Sequence, residues 1–353
     1  MKSVLYKNRL VCYIVLIVSL VILSSCTTKD RVNPGDYRER EKSYQDAFHA
    51  FDTECTINIY GDIDEATSKV YFDKLKELFY NYNKMFSKTD SESEVYKINH
   101  RDSDIVSVSK EVAEIFAVAK EMYDWSSGYF DVSAGALFDL WDVKNRTTLP
   151  DPHDIAKVMP LTDNFNYDVE MEDDVNEIIF YNNLATTYDF GALIKGYACD
   201  AAKNILVGLD KIDAAIINLG GNVYCYGEMK DREDGLFNVG IYKPFSTGEI
   251  IETVKVKNKS VITSGNYQRY FKVEGDNRIY HHIINPKTGY PTDNGIDSVS
   301  IISENALLGD YLSTTCMILG EEYAKKLIDG CRENFDDDIK AIFIYADGRI
   351  SKY

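Results

Sequence analysis

The chain has 353 residues, 45% of them hydrophobic and 27% charged, and a formal net charge of −18. That length allows one large domain or two small ones with a substantial core. The acidic balance excludes nucleic-acid binding through a basic patch, because such a surface repels backbone phosphates; a phosphate-bearing ligand would need a local cation, most simply a metal.

Lys2, Lys7 and Arg9 precede an unbroken apolar run of 14 residues, Leu10 to Leu23. This is short of the roughly 20 residues that span a bilayer and reads as the core of a secretory signal peptide. Leu23, Ser24 and Ser25 lead into Cys26, a pattern that resembles a bacterial lipobox, where the cysteine thiol is acylated and becomes the new N-terminus. Residues 1–25 are therefore expected to be a lipoprotein signal peptide, with an uncleaved anchor as the second reading. Both place the remaining chain outside the cytoplasm and at the membrane. Cleavage would remove three cations and no anions, so −18 becomes −21. Residues 26–45 are polar, carry Pro34-Gly35 and read as a tether, with the folded domain over 46–353. Beyond Cys12 and Cys26, the cysteines Cys55, Cys199, Cys225, Cys316 and Cys331 are scattered, odd in number and form no CxxC, which points to single buried thiols rather than a disulfide framework or zinc site.

"FDTECTINIY" (51–60) alternates like a strand, and "DEATSKVYFDKLKELFYNYNKMF" (64–86) has helical spacing with acidic residues in its first turn. Ser109 caps a second expected helix that ends near Gly128. Residues 142–175, rich in Asp, Pro and Asn, read as a loop. "VNEIIFYNN" (175–183) reads as a strand leading into "DFGALIKGYACD" (189–200) and a helix. Strands are expected at "AAIINLGG", "LFNVGIYKP" and "IIETVKVKNKSVITSG" (250–265), and a hairpin over 267–286 with Gly275-Asp276-Asn277 at its turn. Helices over 304–319 and 321–331 precede a final hairpin turning at Asp347-Gly348. Mixed helices and antiparallel hairpins predict an α+β fold rather than a doubly wound parallel sheet.

No P-loop, Rossmann fingerprint, GxSxG elbow or HExxH is present. Asp310 and Thr314 are four apart, hence on one helical face, and their oxygens suit a hard cation such as Mg²⁺. A solvated aspartate beside a hydroxyl bonding its own helix is the commoner meaning of that spacing. Against it, the neighbours Leu307, Leu308, Tyr311, Leu312, Met317 and Ile318 look like core, where a lone carboxylate is costly. In "HHIINPKTGYP" (281–291), His281 and His282 face opposite sides of a strand that runs into a fixed turn, and His282 is the candidate general base. The paired glycines of "INLGGNV" (217–223) would let backbone N–H groups approach a ligand, or make a tight turn. "SGYFDVSAGAL" (127–137) brackets an aromatic residue and Asp131 between glycines.

Taken in order, these stretches carry a resemblance. "FDT" (51–53), "SEVYKIN" (93–99), "GYFDVSAGAL" with Trp141, "DFGALIKGYACD", "INLGGN", "TSGNYQRYF" (263–271), "HHIINPKTGYP" and "DYLST" (310–314) follow the order seen in the ApbE family of FAD:protein FMN transferases. The chain resembles that family over nearly all of its length beyond the signal peptide. The resemblance implies a duplicated, T-fold-like α+β architecture with two interlocked lobes over 46–353. It implies that Asp189 and Lys195 lie against FAD, and that the Ala192 backbone carbonyl joins Asp310 and Thr314 in holding Mg²⁺. Phe130, Asp131, Val132 and Ile284 would line the flavin or adenosine pocket. Phe51 stands where the family often has Met before Gly-Thr, here followed by Asp52. A further FAD contact falls on Thr89 or its neighbour Lys88.

The implied reaction transfers FMN from FAD to a threonine hydroxyl of an acceptor protein through a phosphodiester, releasing AMP, with His282 taking the threonine proton. Acceptors in the family carry a Ser/Thr-Gly-Ala-Thr-like motif. This chain has none, so the acceptor is expected to be a separate extracytoplasmic protein, such as a redox-complex subunit or an exported reductase. An FAD pyrophosphatase and a non-catalytic flavin-binding lipoprotein are the alternatives.

Overall fold

The computed structural model describes residues 42–163, 165–172 and 175–353. The expected signal peptide, Cys26 and the tether through residue 41 lie outside them. The chain opens with β1 (Ser43–Ala50) and β2 (Thr53–Gly61), paired as an antiparallel hairpin. β1 thus starts inside the stretch expected to be tether. Its loop is only Phe51-Asp52, with φ of 53° and 57°. Two left-handed residues in succession make the turn whose twist matches that of the flanking strands.

Next come α1 (Glu65–Met85), capped by Asp64, and α2 (Glu94–Asn99). β3 (Ile105–Ser107) precedes α3 (Lys110–Trp125), whose first turn is held by Ser109 as expected. α4 (Gly135–Trp141) comes next, and the region anticipated as a loop after it instead contains α5 (Pro152–Val158) and β4 (Tyr167–Glu172). β5 (Val175–Phe180) leads to α6 (Ile194–Val207), then β6 (Ile212–Leu219) and β7 (Asn222–Gly227).

β8 (Phe237–Tyr242) pairs with β9 (Ile250–Val256). A turn at Asn258, φ 51°, separates β9 from β10 (Lys259–Gly265), so the 250–265 stretch is two strands that belong to different sheets. The expected hairpin forms from β11 (Tyr270–Lys272) and β12 (Ile279–His281), followed by the small pair β13 (Ile284–Asn285) and β14 (Tyr290–Pro291). β15 (Ile296–Ser303), α7 (Ala306–Leu319), α8 (Glu321–Phe335), β16 (Lys340–Tyr345) and β17 (Ile350–Lys352) complete the fold.

One eight-stranded antiparallel sheet organises these elements in the order β1-β2-β6-β7-β10-β15-β16-β17. Period-two alternation gives it two greasy faces. Ile57, Ile217, Ile301 and Phe343 point into the main core against α1, α6, α7 and α8, while Ala214, Val261, Ile302 and Ile342 pack on the β8–β9 hairpin. A small third core of Leu137, Trp141, Ile155, Phe271, Tyr280 and Ile284 ties α4 and α5 to the β11–β14 region. The fold is α+β, as expected. The five described cysteines are free and buried, also as expected.

Candidate active site

The site grows from the start of α6. Asp189, Gly191 and Lys195 precede or enter this helix, whose N-terminus has no side-chain cap of its own. Four N–H groups at a helix start need outside acceptors. Asp310, from the neighbouring α7, supplies one: its Oδ2 accepts the Gly196 N–H at 2.9 Å. That N–H would otherwise close back toward Ala192, so the Ala192 carbonyl is not claimed by the helix. Glycine is required at 196, because a Cβ there would lie 2.4 Å from the Ala306 carbonyl oxygen and 2.8 Å from Asp310 Cβ.

Asp310 is 3% exposed. Burial pushes its carboxyl above the ordinary range, against the opposing pull of Lys195, the Asn222 side chain and the Gly196 N–H. The Lys195 ammonium stands 3.8 Å from Oδ2 and donates to the Gly191 carbonyl at 3.1 Å. The carboxylate is therefore only partly compensated by the protein, a situation that a cation would relieve. One turn on, the Thr314 hydroxyl lies 3.1 Å from Ser264 Oγ, which also meets Ser313 Oγ at 2.8 Å. Asp310 and Thr314 share a face, as their spacing requires.

Asp189 sits beside them. Its N–H donates to the Val132 carbonyl at 2.9 Å, and Gly135 donates to Thr187 at 3.0 Å, so the "GYFDVSAGAL" and "DFGALIKG" stretches run side by side. A side chain on Gly135 would clash with Thr187 at 2.7 Å. Lys88 bridges Asp189 at 2.8 Å and Asp139 at 2.7 Å. Burial alone would raise the Asp189 pKa, but Lys88, the Gly191 N–H and Arg269 hold it below the usual carboxylate range. Of the pair left open in the sequence, Lys88 makes this ion pair; Thr89 is exposed and its hydroxyl meets Ser87 at 3.3 Å.

Phe130 packs edge-on against Tyr311, with ring centroids 5.0 Å apart. Asp131 is consumed by its own loop, accepting from Ser133 N–H and Oγ and from the Asp163 N–H at 2.6–2.8 Å. Val132 contributes its carbonyl to Asp189, and Ile284 is buried in the small core with Trp141. These four residues brace the walls on which Asp189 and His282 stand. Phe51 is at the β1–β2 tip, where its N–H donates to Asn83 Oδ1 at 2.6 Å. Beside this tip lies the Gly220-Gly221 turn, with φ of 61° and 100°, and a Cβ on Gly220 would meet Thr53 at 2.4 Å.

The two histidines divide their work. His281 is 3% exposed; its Nε2–H donates to the Thr292 carbonyl at 2.8 Å, and its Nδ1 accepts the Ile283 N–H at 3.2 Å. Both nitrogens are spent on structure. His282 has Nδ1 at 3.3 Å from the Arg269 carbonyl. A carbonyl only accepts, so Nδ1 carries the proton and Nε2 keeps its lone pair, the tautomer a general base needs. Burial first, then Arg269, His281 and Lys195, lower the His282 pKa to about 4. The ring is neutral at physiological pH.

The sequence pattern of the ApbE family matches residues 51–343. This chain belongs to the ApbE family. It is 32% identical to a Klebsiella pneumoniae protein named FAD:protein FMN transferase, over 82% of this chain and 84% of that one. A Treponema pallidum protein of the same name is 28% identical, over 89% of this chain and 87% of its own length. The crystal structure of the ApbE protein of Thermotoga maritima has a TM-score of 0.75 at 26% identity, covering 88% of this chain and 97% of the other.

Within this ApbE fold, several site residues escaped sequence reasoning. Asp139 was not singled out at all, and the ion pairs of Lys88 with Asp139 and Asp189 form only through α1 and α4. Ser264, Asn222 and Arg269 lay inside quoted motifs, but nothing in composition separated them from turn residues. Their signal is position, at the start of β7, at the end of β10 and just beyond it.

Proposed function

We propose that this protein transfers FMN from FAD to a threonine of a separate acceptor protein, with Mg²⁺ bound and AMP as the leaving product. The observation that carries this reading is the buried, partly compensated carboxylate of Asp310 at the junction of α6 and α7, flanked by Lys195 and Thr314. Support comes also from the names of the curated relatives, FAD:protein FMN transferases.

The residues present fit a hard cation: a carboxylate from Asp310, a hydroxyl from Thr314 and the Ala192 carbonyl are all oxygen donors. When bound, Mg²⁺ would neutralise diphosphate charge and stabilise the departing phosphate. The chain's own groups do the rest. Lys195 holds a positive charge beside the diphosphate, and Asp189, kept ionised by Lys88, offers an acceptor to a polar edge of the cofactor. His282 Nε2 receives the acceptor threonine proton as its Oγ bonds to the FMN-side phosphorus. The bond from that phosphorus to the AMP phosphate breaks, and AMP leaves with the electron pair.

The test is incubation with FAD, Mg²⁺ and a co-expressed acceptor bearing a Ser/Thr-Gly-Ala-Thr-like motif. Mass spectrometry should find FMN on the acceptor threonine; free FMN plus AMP with an unmodified acceptor would mean a pyrophosphatase, and intact FAD a carrier. We also propose that the enzyme acts outside the cytoplasm, anchored through acylated Cys26. Metabolic labelling with a radioactive fatty acid should mark the wild type and not Cys26→Ser; equal label in both would refute the anchor.

A further inference from the structure

Arg269 follows Gln268, whose Nε2 lies 3.7 Å from the Cβ position of Gly221, so this segment runs along the Gly220-Gly221 turn. Its carbonyl receives the His282 ring at 3.3 Å and the His282 N–H at 3.2 Å, which places its backbone against the candidate base. The guanidinium is near enough to lower the pKa values of both Asp189 and His282. The other two cations of the site are engaged. Lys88 is held by Asp139 and Asp189, and Lys195 by Gly191 and, at 3.8 Å, Asp310. Arg269 is exposed and, among the described residues, makes no ion pair. In a chain of net charge −18, a cation left uncommitted between a neutral histidine and the start of α6 needs a reason.

Charge counting supplies one. Asp139, Asp189 and Asp310 against Lys88, Lys195 and Arg269 leave the corner neutral. A cofactor diphosphate brings two negative charges and a divalent ion cancels them, but only if Arg269 remains. A second observation is independent of charge. Asn222 is 2% exposed, and among the described residues its Nδ2 has no acceptor at normal hydrogen-bond geometry. Its side chain acts on Asp310 as a hydrogen-bond donor, favouring the ionised carboxylate. A buried amide donor directed at the Asp310 corner and an exposed guanidinium without an ion pair are both groups that suit an anion.

We propose that Arg269 grips the diphosphate of FAD on the His282 side, as the binding cation that opposes the metal corner at Asp310. This rests on the FMN-transfer reading above and adds a residue to it. A planar guanidinium bonds two phosphate oxygens at once, which an ammonium cannot do.

The experiment measures FAD affinity by quenching of flavin fluorescence in the presence of Mg²⁺, for wild type, Arg269→Gln and Arg269→Lys, with riboflavin as the phosphate-free comparator. Arg269→Gln should weaken FAD about tenfold or more, the scale of a lost charge-assisted hydrogen bond. Arg269→Lys should recover part of the loss, and riboflavin affinity should not change between variants. Circular dichroism and thermal unfolding show whether each variant is folded. FAD affinity unchanged in a folded Arg269→Gln would overturn the assignment, as would an equal loss for riboflavin, which would make the residue a wall of the flavin pocket. If instead the wild type itself binds no FAD, the functional reading fails rather than this residue's role.

Discussion

At the scale of single residues, His282 and Asp310 show how placement sets chemistry. Adjacent histidines have the same intrinsic pKa, yet His281 has both ring nitrogens bonded while His282 keeps Nε2 free. With its pKa lowered to about 4, His282 is protonated only in acid, and the protonated ring cannot act as a base. kcat/KM for FMN transfer should therefore fall as pH drops through about 4, rather than near the ordinary histidine value of about 6.5. Because the Arg269 charge contributes to the lowering, Arg269→Gln should move this acid limb upward. His282→Gln should reduce kcat by about 10²–10⁴. A pH–rate profile for the three proteins checks all of this, and an unchanged rate in His282→Gln would put the base elsewhere. The sequence could say that one of the two histidines faces a site. Which one, and in which tautomer, depended on carbonyls at 269 and 292 that no local pattern reveals.

At the scale of elements, the contact between α6 and α7 is the critical junction. Gly196 lets the Asp310 carboxylate reach a helix N–H, and its missing side chain sets the distance between the helices. Gly196→Ala would push Ala306 and Asp310 away and should destabilise the fold by about 1–3 kcal/mol, the usual cost of overpacking. Chemical denaturation measures the loss. The same variant should lower Mg²⁺-dependent turnover more than FAD binding, because the displaced group is the carboxylate. Long periodic elements were legible: α1, α3, α7 and the closing β16–β17 hairpin follow their apolar spacing. The misses have physical causes. β1 buries only Phe48 and Ala50 along its length, so its sequence looks like solvated linker. α5 is short and lies in a stretch dominated by Asp and Pro, although Asp151 and Pro152 are a proper helix start. β9 and β10 read as one strand because the turn between them is only Lys257-Asn258 in an otherwise β-like run.

At the scale of the whole molecule, the site gathers residues from five separated regions: Lys88, Asp139, Asp189 with Lys195, Arg269 with His282, and Asp310 with Thr314. The eight-stranded sheet makes this possible, since its antiparallel hairpins return the chain repeatedly to one end. Order of motifs along the chain was readable from sequence and identified the family. Their convergence was not, because ion pairs such as Lys88 with Asp189 span 101 positions with no local trace. A protein whose acidic residues outnumber its basic ones must, to handle an anionic cofactor, concentrate cations where the diphosphate lies. The decisive measurement is Mg²⁺-dependent AMP release from FAD, with FMN found on an acceptor threonine, compared between the wild type and Asp310→Asn. Loss of both products in a folded Asp310→Asn is the expected result; turnover and metal dependence equal to wild type would contradict the account at its centre.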